Sequence, residues 1–401
     1  KQDKRSYASN FCFIETESNS MEAKTLLQKH GNKWLVVNPP AKPMKTSEID
    51  ASFDLPYTRL PHPRYANRGV IPAFEMIKFS VNIHRGCFGG CSFCTISAHQ
   101  GKFVSSRSED SIVKEVKAIT EQTDFKGHIS DLGGPSANMY RMKGKDISVC
   151  KTCKRYSCVH PSICKNLDIN HGPLIQLYQK VADLPDVKKV TIGSGVRYDM
   201  FMTPNTVIDK ENHLSEYAKI LIQHHVSGRL KVAPEHVSDD VLKIMRKASF
   251  NSFKKFRMLF NKTCNEAKLN QQIIPYFISS HPGCNMEHMA ELAVETKDLG
   301  FQLEQVQDFT PTPMTLATEM YYTGLDPYTL KPIYVIRSLK EKMDQQKFFF
   351  YYKKENISWI KEMLIKLRRN DLIPKLVKGS DYKFSEKKAE NASNKLWKKK
   401  R

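Results

Sequence analysis

Strand-like and helix-like patterns alternate along the chain from residue 74 onward. Each short apolar run is followed by a loop and then by apolar residues at helical spacing. This alternation is typical of right-handed crossover units that build a parallel sheet. Six units can be counted, and they predict strands over residues 76–83, 127–132, 189–192, 229–232, 272–278 and 301–306.

Three of the intervening helices have clear boundaries in the sequence. One opens at Ser106-x-x-Glu109, another begins at Asp239, and a third spans residues 285–299 and stops at Gly300. The sequence therefore predicts an α/β fold, a partial parallel (β/α)6 barrel. Functional loops are expected at the carboxyl ends of its strands, where parallel α/β folds place ligands.

The pattern also divides the chain. Residues 1–73 are interpreted as the remnant of an amino-terminal region with a strand at 34–38 and an ordered lead-in, and residues 74–320 as the barrel with a cysteine-rich insert at 149–170. Residues 321–380 form a helical extension, with an amphipathic helix within 353–370. The lysine-rich segment 381–401 is expected to be disordered. Because the chain begins at a lysine, a longer parent protein is expected.

Three thiols follow the first predicted strand, in the order Cys87-x3-Cys91-x2-Cys94. On a glycine-containing loop, each can ligate a separate iron of a [4Fe–4S] cluster, and the fourth iron then stays free for a small chelating substrate. A zinc site is disfavoured, because a second knuckle at zinc-finger distance is missing from the sequence. Packing of the thiols in a core is disfavoured by the glycines at 86, 89 and 90.

The cysteine spacing, with Phe93 before the last cysteine, resembles the signature of the radical S-adenosylmethionine (SAM) superfamily. Three further stretches resemble its YgiQ-like (UPF0313-type) family: Leu-Pro-His-Pro-Arg-Tyr at 60–65, Asp-Leu-Gly-Gly-Pro-Ser at 131–136 and Val-Ala-Pro-Glu-His at 232–236. The resemblance covers residues 54–375.

This resemblance implies a specific cofactor chemistry. Cys87, Cys91 and Cys94 would hold a [4Fe–4S] cluster, whose open iron chelates the amine and carboxylate of SAM. One electron, from a donor such as flavodoxin or ferredoxin, would cleave SAM to methionine and a 5′-deoxyadenosyl radical. That radical would abstract hydrogen from a substrate that the resemblance does not identify, and catalytic residues beyond the cluster ligands stay unknown.

The resemblance also places SAM contacts in the loops after the strands. Gly133 and Gly134 occupy the position of a Gly-Gly-Glu motif that receives the methionyl amine, although proline replaces the glutamate; the alternative is a plain turn. Ser194 and Arg197 would contact the ribose and the methionine carboxylate, and Glu235 the ribose hydroxyls. The alternatives are a surface arginine and a solvated loop carboxylate.

A fifth loop, after the strand at 272–278, holds His281. The resemblance places this stretch near the adenine, and His281 is either a substrate-side acid or base or a structural histidine.

A second group of cysteines lies in the insert: Cys150, Cys153, Cys158 and Cys164. Four thiols in a segment with few apolar residues can close around a second metal, either zinc or an iron–sulfur cluster, and the sequence leaves both open. The alternative is an exposed, reduced loop. The three remaining cysteines, at 12, 264 and 284, are isolated and are interpreted as packing residues or as incidental.

Composition limits the cellular setting and the partners. The 401 residues, 40% of them hydrophobic, support a substantial core, and the sequence shows neither an apolar run of transmembrane length nor a signal peptide. A cytoplasmic protein without membrane contact is expected. The net charge of +21 lies partly in the tail, so weak RNA binding is expected.

Three functions therefore stay open at the level of the sequence. The first is a radical SAM enzyme of unknown substrate. The second is a tRNA- or protein-modifying enzyme of the methylthiotransferase type. The third is a metal-stabilised nucleic-acid-binding protein without catalytic activity.

Overall fold

The computed structural model describes residues 3–304 and 306–377. The strands in these ranges are β1 (Leu26–His30), β2 (Lys33–Val37), β3 (Ser80–Asn82), β4 (His84–Arg85), β5 (Ser105–Ser106), β6 (His128–Ile129), β7 (Asp131–Gly133), β8 (Lys189–Val190), β9 (Arg229–Glu235), β10 (Gln272–Ser279) and β11 (Val306–Asp308).

The helices follow in the same numbering by chain order. They are α1 (Lys4–Ser18), α2 (Thr46–Phe53), α3 (Pro72–Ile77), α4 (Ile96–His99), α5 (Glu109–Thr120), α6 (Ile147–Lys151), α7 (Gly172–Ala182), α8 (Thr206–Glu211), α9 (Leu214–His224), α10 (Asp239–Met245), α11 (Phe250–Glu266), α12 (Met286–Asp298), α13 (Leu316–Thr323), α14 (Leu339–Phe349), α15 (Lys354–Lys366) and α16 (Ile373–Leu376).

The parallel strands form two halves. In the first half, β3 pairs with β7 and β6 pairs with β8, and the backbone N–H of Leu132 donates to the carbonyl of Thr191. In the second half, β9, β10 and β11 lie side by side, all parallel. Within the described residues, strand pairing does not close the two halves into a barrel. The prediction of a partial parallel α/β barrel is confirmed.

Some strand and helix boundaries differ from the prediction. Residues 72–77 form α3, because Pro72 suits the first turn of a helix, so the first barrel strand begins only at Ser80. The last strand begins at Val306 instead of residue 301. Ser106 lies in β5, and the cap of α5 is Ser108, whose hydroxyl accepts from the Ser111 N–H.

Helix faces pack around the strands as the apolar periodicity predicts. In α5 the buried apolar side chains are Ile112, Val116 and Ile119. The amphipathic helix expected within 353–370 is α15, which buries Ile360 and Leu364. These side chains belong to one continuous apolar core that also holds the strand residues.

The amino-terminal segment is tied to the barrel by α1. Glu15 of this helix forms an ion pair with Arg246, which is 5% exposed and follows α10. The strand expected at 34–38 is β2, which pairs antiparallel with β1. The tail at 381–401 lies outside the described residues, and none of the helices described is long and apolar enough to cross a membrane.

Candidate metal centre and cofactor site

The loop that carries Cys87, Cys91 and Cys94 follows β4 and is held by backbone hydrogen bonds. Cys87 N–H donates to Gly101 O at 3.0 Å, and Ser92 N–H donates to Met245 O at 3.0 Å, at the end of α10. Ser92 O accepts from Ala317 N–H of α13 at 2.8 Å. Elements from both halves of the barrel therefore fix the positions of the three thiols.

Two glycines make this loop possible. Gly86 and Gly90 have φ values of +86° and +62°, which side chains rarely adopt. A Cβ at Gly86 would lie 2.5 Å from Phe103 O, and one at Gly90 would overlap Tyr156 O. The prediction that the glycines mark a loop is in line with this geometry.

The three cysteines form no disulfide, and each is partly buried. Burial raises the pKa of Cys87 to about 11 and that of Cys94 to about 12. Unligated Cys87 and Cys94 are therefore protonated at neutral pH, and a metal must displace these two protons when it binds. The backbone N–H of Gly89 already donates to Cys87 Sγ at 3.4 Å.

Arg197 reaches this loop from the segment after β8. Its Nη1 lies 3.7 Å from Cys91 Sγ, over Gly89, where a Cβ would stand only 2.9 Å from Nη1. Its Nε and Nη2 donate to the two carboxylate oxygens of Asp199 at 3.2 and 2.6 Å. Burial opposes ionisation of Asp199, but the guanidinium outweighs it and lowers the pKa of Asp199. The bidentate side of Arg197 is therefore occupied within the protein.

The residues present fit a thiolate-ligated cluster. The backbone N–H of Gly89 points at Cys87 Sγ, and the buried guanidinium of Arg197 points at Cys91 Sγ. Hydrogen-bond donors of this kind stabilise the negative charge on cluster sulfurs. Within residues 3–304 and 306–377, no three Cys, His, Asp or Glu side chains converge closely enough to hold one single ion. The ligand prediction for Cys87, Cys91 and Cys94 stays a prediction.

Gly133 and Gly134 face protein side chains. A Cβ on Gly133 would lie 2.5 Å from Ser194 Oγ, and one on Gly134 would lie 2.6 Å from Cε1 of the buried His84. Ser194 also bonds to Asp131 through its N–H at 3.1 Å and through its hydroxyl. Close packing between strands explains both glycines, and contact with a methionyl amine stays a prediction.

Glu235 lies at the end of β9 with φ of +68° and is 7% exposed. Lys247 Nζ donates to Glu235 Oε1 at 3.4 Å. Glu235 and Phe93, from the cysteine loop, line a cavity of about 240 Å³ together with Asp308 and Thr310. The structure thus brings Glu235 and the cysteine loop to one chamber at the carboxyl ends of β9, β10 and β11.

His281 is fully buried, and both of its ring nitrogens have partners. Nδ1 donates to Pro282 O at 2.8 Å, and Nε2 accepts from Ser92 Oγ at 3.1 Å. Burial lowers the pKa of His281 to about 4. This geometry gives His281 a structural role beneath the cysteine loop, which is the alternative kept open above.

The four cysteines of the insert line a second cavity of about 210 Å³. The insert is tied to the first loop, since Cys158 N–H donates to Phe88 O at 3.0 Å and Ser157 Oγ donates to Gly89 O at 2.7 Å. Order in the insert therefore has sources other than a metal. A larger cavity of about 680 Å³ lies between the lead-in and α5, lined by Tyr57 and Glu115 among others, and contains none of these thiols.

Several residues of the site escaped the sequence reasoning. Asp199 follows Arg197 by two residues, and this spacing could have suggested an internal ion pair. Asn138 accepts from Arg197 N–H at 2.8 Å and donates to Arg197 O at 3.0 Å, and Lys102 lies beside the insert thiols. Neither Asn138 nor Lys102 has a sequence signal, because only the fold brings them there.

Family models match three parts of the chain. The model described as "Radical SAM N-terminal" matches residues 1–80, and "Radical SAM superfamily" matches residues 81–295. A "Domain of unknown function (DUF3362)" matches residues 304–380.

Curated proteins with similar sequences carry the name UPF0313 protein. One from Bacteroides thetaiotaomicron is 58% identical over 374 residues, which is 93% of this chain and 60% of that protein. One from Porphyromonas gingivalis is 58% identical over 376 residues, 93% of this chain and 59% of its own length. The chain thus spans about 60% of the relatives it matches.

Among solved structures, the radical SAM methyltransferase TsrM from Kitasatospora setae, with cobalamin and a [4Fe–4S] cluster bound, aligns with a TM-score of 0.40. The identity is 14%, and the match covers 61% of this chain and 39% of that one. A similarity at this level carries no argument about the reaction.

Proposed function

Because this chain belongs to the radical SAM superfamily, within its UPF0313-type family, we propose that it forms the catalytic core of an enzyme that reductively cleaves SAM. The predicted cofactor pair, a [4Fe–4S] cluster and SAM, is the pair that defines this superfamily. When bound, the pair supplies a 5′-deoxyadenosyl radical after one-electron reduction, and that radical abstracts hydrogen from a substrate.

The observation that carries the proposal is the shared chamber of the cysteine loop and the strand ends. In the sequence, Phe93 lies between Cys91 and Cys94. Phe93 and Glu235 both line the 240 Å³ cavity. Cys87, Cys91 and Cys94 would hold the cluster at one end of this chamber. Ligands bind at the carboxyl ends of strands in parallel α/β folds, so SAM would lie between the thiols and these ends.

The side chains around the chamber have separate tasks in this proposal. Arg197 donates toward Cys91 Sγ and stays oriented by Asp199, so it stabilises negative charge on the sulfur. Glu235, kept in place by Lys247, would accept hydrogen bonds from the ribose hydroxyls. Phe93, Phe309 and Ile278 would exclude water from the reacting centre.

Anaerobic reconstitution followed by measurement of 5′-deoxyadenosine tests the proposal. With a chemical reductant and SAM, the protein should release 5′-deoxyadenosine and methionine, whereas the Cys87→Ala, Cys91→Ala, Cys94→Ala triple variant should not. Iron in the triple variant equal to wild type, together with full SAM cleavage, would overturn the assignment.

The electron donor and the location belong to the same proposal. A reduced flavodoxin or ferredoxin would deliver the electron, and the enzyme would work in the cytoplasm. Adding either reduced carrier to the reconstituted protein, in place of the chemical reductant, should restore 5′-deoxyadenosine release.

The alternative of a tRNA-modifying enzyme is supported by the net charge of +21 and by the resemblance of the loops after the fourth and sixth predicted strands to methylthiotransferases. Part of this charge belongs to the tail, where lysines bind phosphate without selecting sequence and lose affinity as salt rises. Deleting residues 382–401 should therefore remove most RNA binding, measured at two salt concentrations. A truncated protein that still selects one tRNA at physiological salt would make the tRNA-modifying function the leading one.

A further inference from the structure

A second metal centre is suggested by how the insert thiols are arranged. Cys150, Cys153, Cys158 and Cys164 surround the 210 Å³ cavity instead of converging on one point. One bound water needs only about 10–15 Å³ of cavity volume, so this cavity has room for a group of several atoms. We propose that these four cysteines ligate a second [4Fe–4S] cluster, closed on all four irons, and not a zinc ion.

The spacing of the thiols supports a cluster. Structural zinc sites usually pair two short knuckles, whereas the insert has a single Cys-x2-Cys pair followed by gaps of four and five residues. A cubane has four irons, so four thiolates at these unequal gaps can each ligate an iron of their own.

A buried cation beside the thiols provides an independent observation. Lys102 is 1% exposed, and its Nζ lies 4.0 Å from Cys153 Sγ and 3.5 Å from Asn19 O, and also donates to Arg155 O. Within the part of the chain that the structure describes, no carboxylate lies within 4.0 Å of this ammonium. A buried charge is costly unless it is paired, and a cluster with four thiolates carries the negative charge that Lys102 needs.

Other contacts shape the cavity around sulfur. Asn166 Nδ2 lies 3.4 Å from Cys150 Sγ, where it can donate to a thiolate. Gly144 leaves room for that sulfur, because a Cβ there would overlap Cys150 Sγ. The rest of the wall is largely apolar and includes Phe88 and Leu167. Such donors and apolar walls tune cluster potentials.

Metal analysis of the Cys87→Ala, Cys91→Ala, Cys94→Ala triple variant tests this site without the first centre. After anaerobic reconstitution, this variant should keep about four irons and four sulfides per chain and give the spectrum of a reducible cubane. Adding Cys153→Ser and Cys158→Ser should remove both iron and sulfide. The matched control, Cys12→Ser with Cys264→Ser in the same background, should keep them.

Two results would overturn the proposal. The first is one zinc per chain, without sulfide, in protein from cells supplied with both zinc and iron. The second is a folded triple variant that binds no metal. Circular dichroism separates the second result from loss of folding. Lys102→Met should leave the iron content near that of the control and make the second cluster harder to reduce, as loss of a nearby positive charge requires. An unchanged potential would remove the argument from Lys102. Failure of SAM cleavage by the wild type would leave all of these measurements valid.

Discussion

The two cysteine regions are built from the same ligand type in different surroundings. The loop with Cys91 borders a chamber whose wall includes Glu235 and Asp308, and the guanidinium beside this loop, Arg197, is already paired with Asp199. The insert with Cys153 surrounds a largely apolar cavity, and its buried ammonium, Lys102, has no carboxylate partner among the described residues. If both proposals hold, the first site keeps polar groups for a substrate, whereas the second uses its own thiolates as the counter-charge of Lys102.

The largest difference between the two regions should appear when one cysteine of each is replaced. Cys91→Ala should lower 5′-deoxyadenosine release to the level of a protein-free control, because the first cluster loses a ligand. Cys153→Ser should lower the iron content while leaving measurable SAM cleavage. Product analysis together with iron and sulfide determination checks both. If Cys153→Ser abolished cleavage while the first cluster stayed intact, the two regions would share one function.

Arg197→Met should lower the free energy of unfolding and change the reduction potential of the first cluster more than that of the second. The substitution leaves Asp199 buried without its partner, which typically costs about 3–5 kcal/mol of unfolding free energy. The double variant Arg197→Met with Asp199→Asn should recover most of that loss but not the hydrogen bond to Cys91 Sγ. Denaturant unfolding gives the stability, and the reduction potential of each cluster gives the local effect. Equal shifts in both potentials would argue against a local role of Arg197.

Gly90→Ala probes the contact between the regions. At φ of +62° the substitution costs about 1–2 kcal/mol of backbone strain, and its Cβ would also overlap Tyr156 O of the insert. Gly101→Ala is the control, because Gly101 has φ of +92° but nothing within 4 Å of its Cβ position. Gly90→Ala should therefore be more destabilising in chemical denaturation and should lower iron at both sites. Equal effects of the two variants would show that the contact is unimportant.

A smaller, pH-dependent effect on the free energy of unfolding should come from α13, the helix that holds the cysteine loop through the bond from Ala317 N–H to Ser92 O. Glu319 of α13 is 7% exposed, and burial raises its pKa from 4.5 to about 7. The folded protein therefore holds this proton more tightly than the unfolded chain. The resulting stability is complete below pH 4.5 and is lost as the pH rises through 7.

Glu319→Gln should remove this dependence and raise the unfolding free energy at pH 8 relative to wild type by about 1–2 kcal/mol. The difference between the two proteins should shrink at pH 5. Denaturant unfolding at both pH values measures it, with the exposed Glu362→Gln as control. A wild-type protein whose stability is the same at both pH values would contradict the prediction.

The apolar periodicity of the sequence determined the class of fold, because the spacing of apolar residues shows which face of each helix or strand must be buried. Strands at Arg229 and Gln272 begin where the apolar pattern begins. At the first strand the pattern was misleading, since Met76 is apolar but follows Pro72 in a helix. Whether an apolar residue joins a strand or a helix is decided by its neighbours in space as well as in sequence.

The sequence by itself determined the family and the three-thiol motif, because the three predicted cluster ligands lie within eight residues of one another and need only a loop with glycines at Gly86 and Gly90. Only the tertiary structure decided which charges face the thiols of this motif and of the insert. Arg197 lies 106 residues from Cys91, and Lys102 lies 51 residues from Cys153. Electrostatic pairing depends on distance in space, so packing of the strands and the insert places these cations beside sulfur, and local sequence patterns carry no record of it.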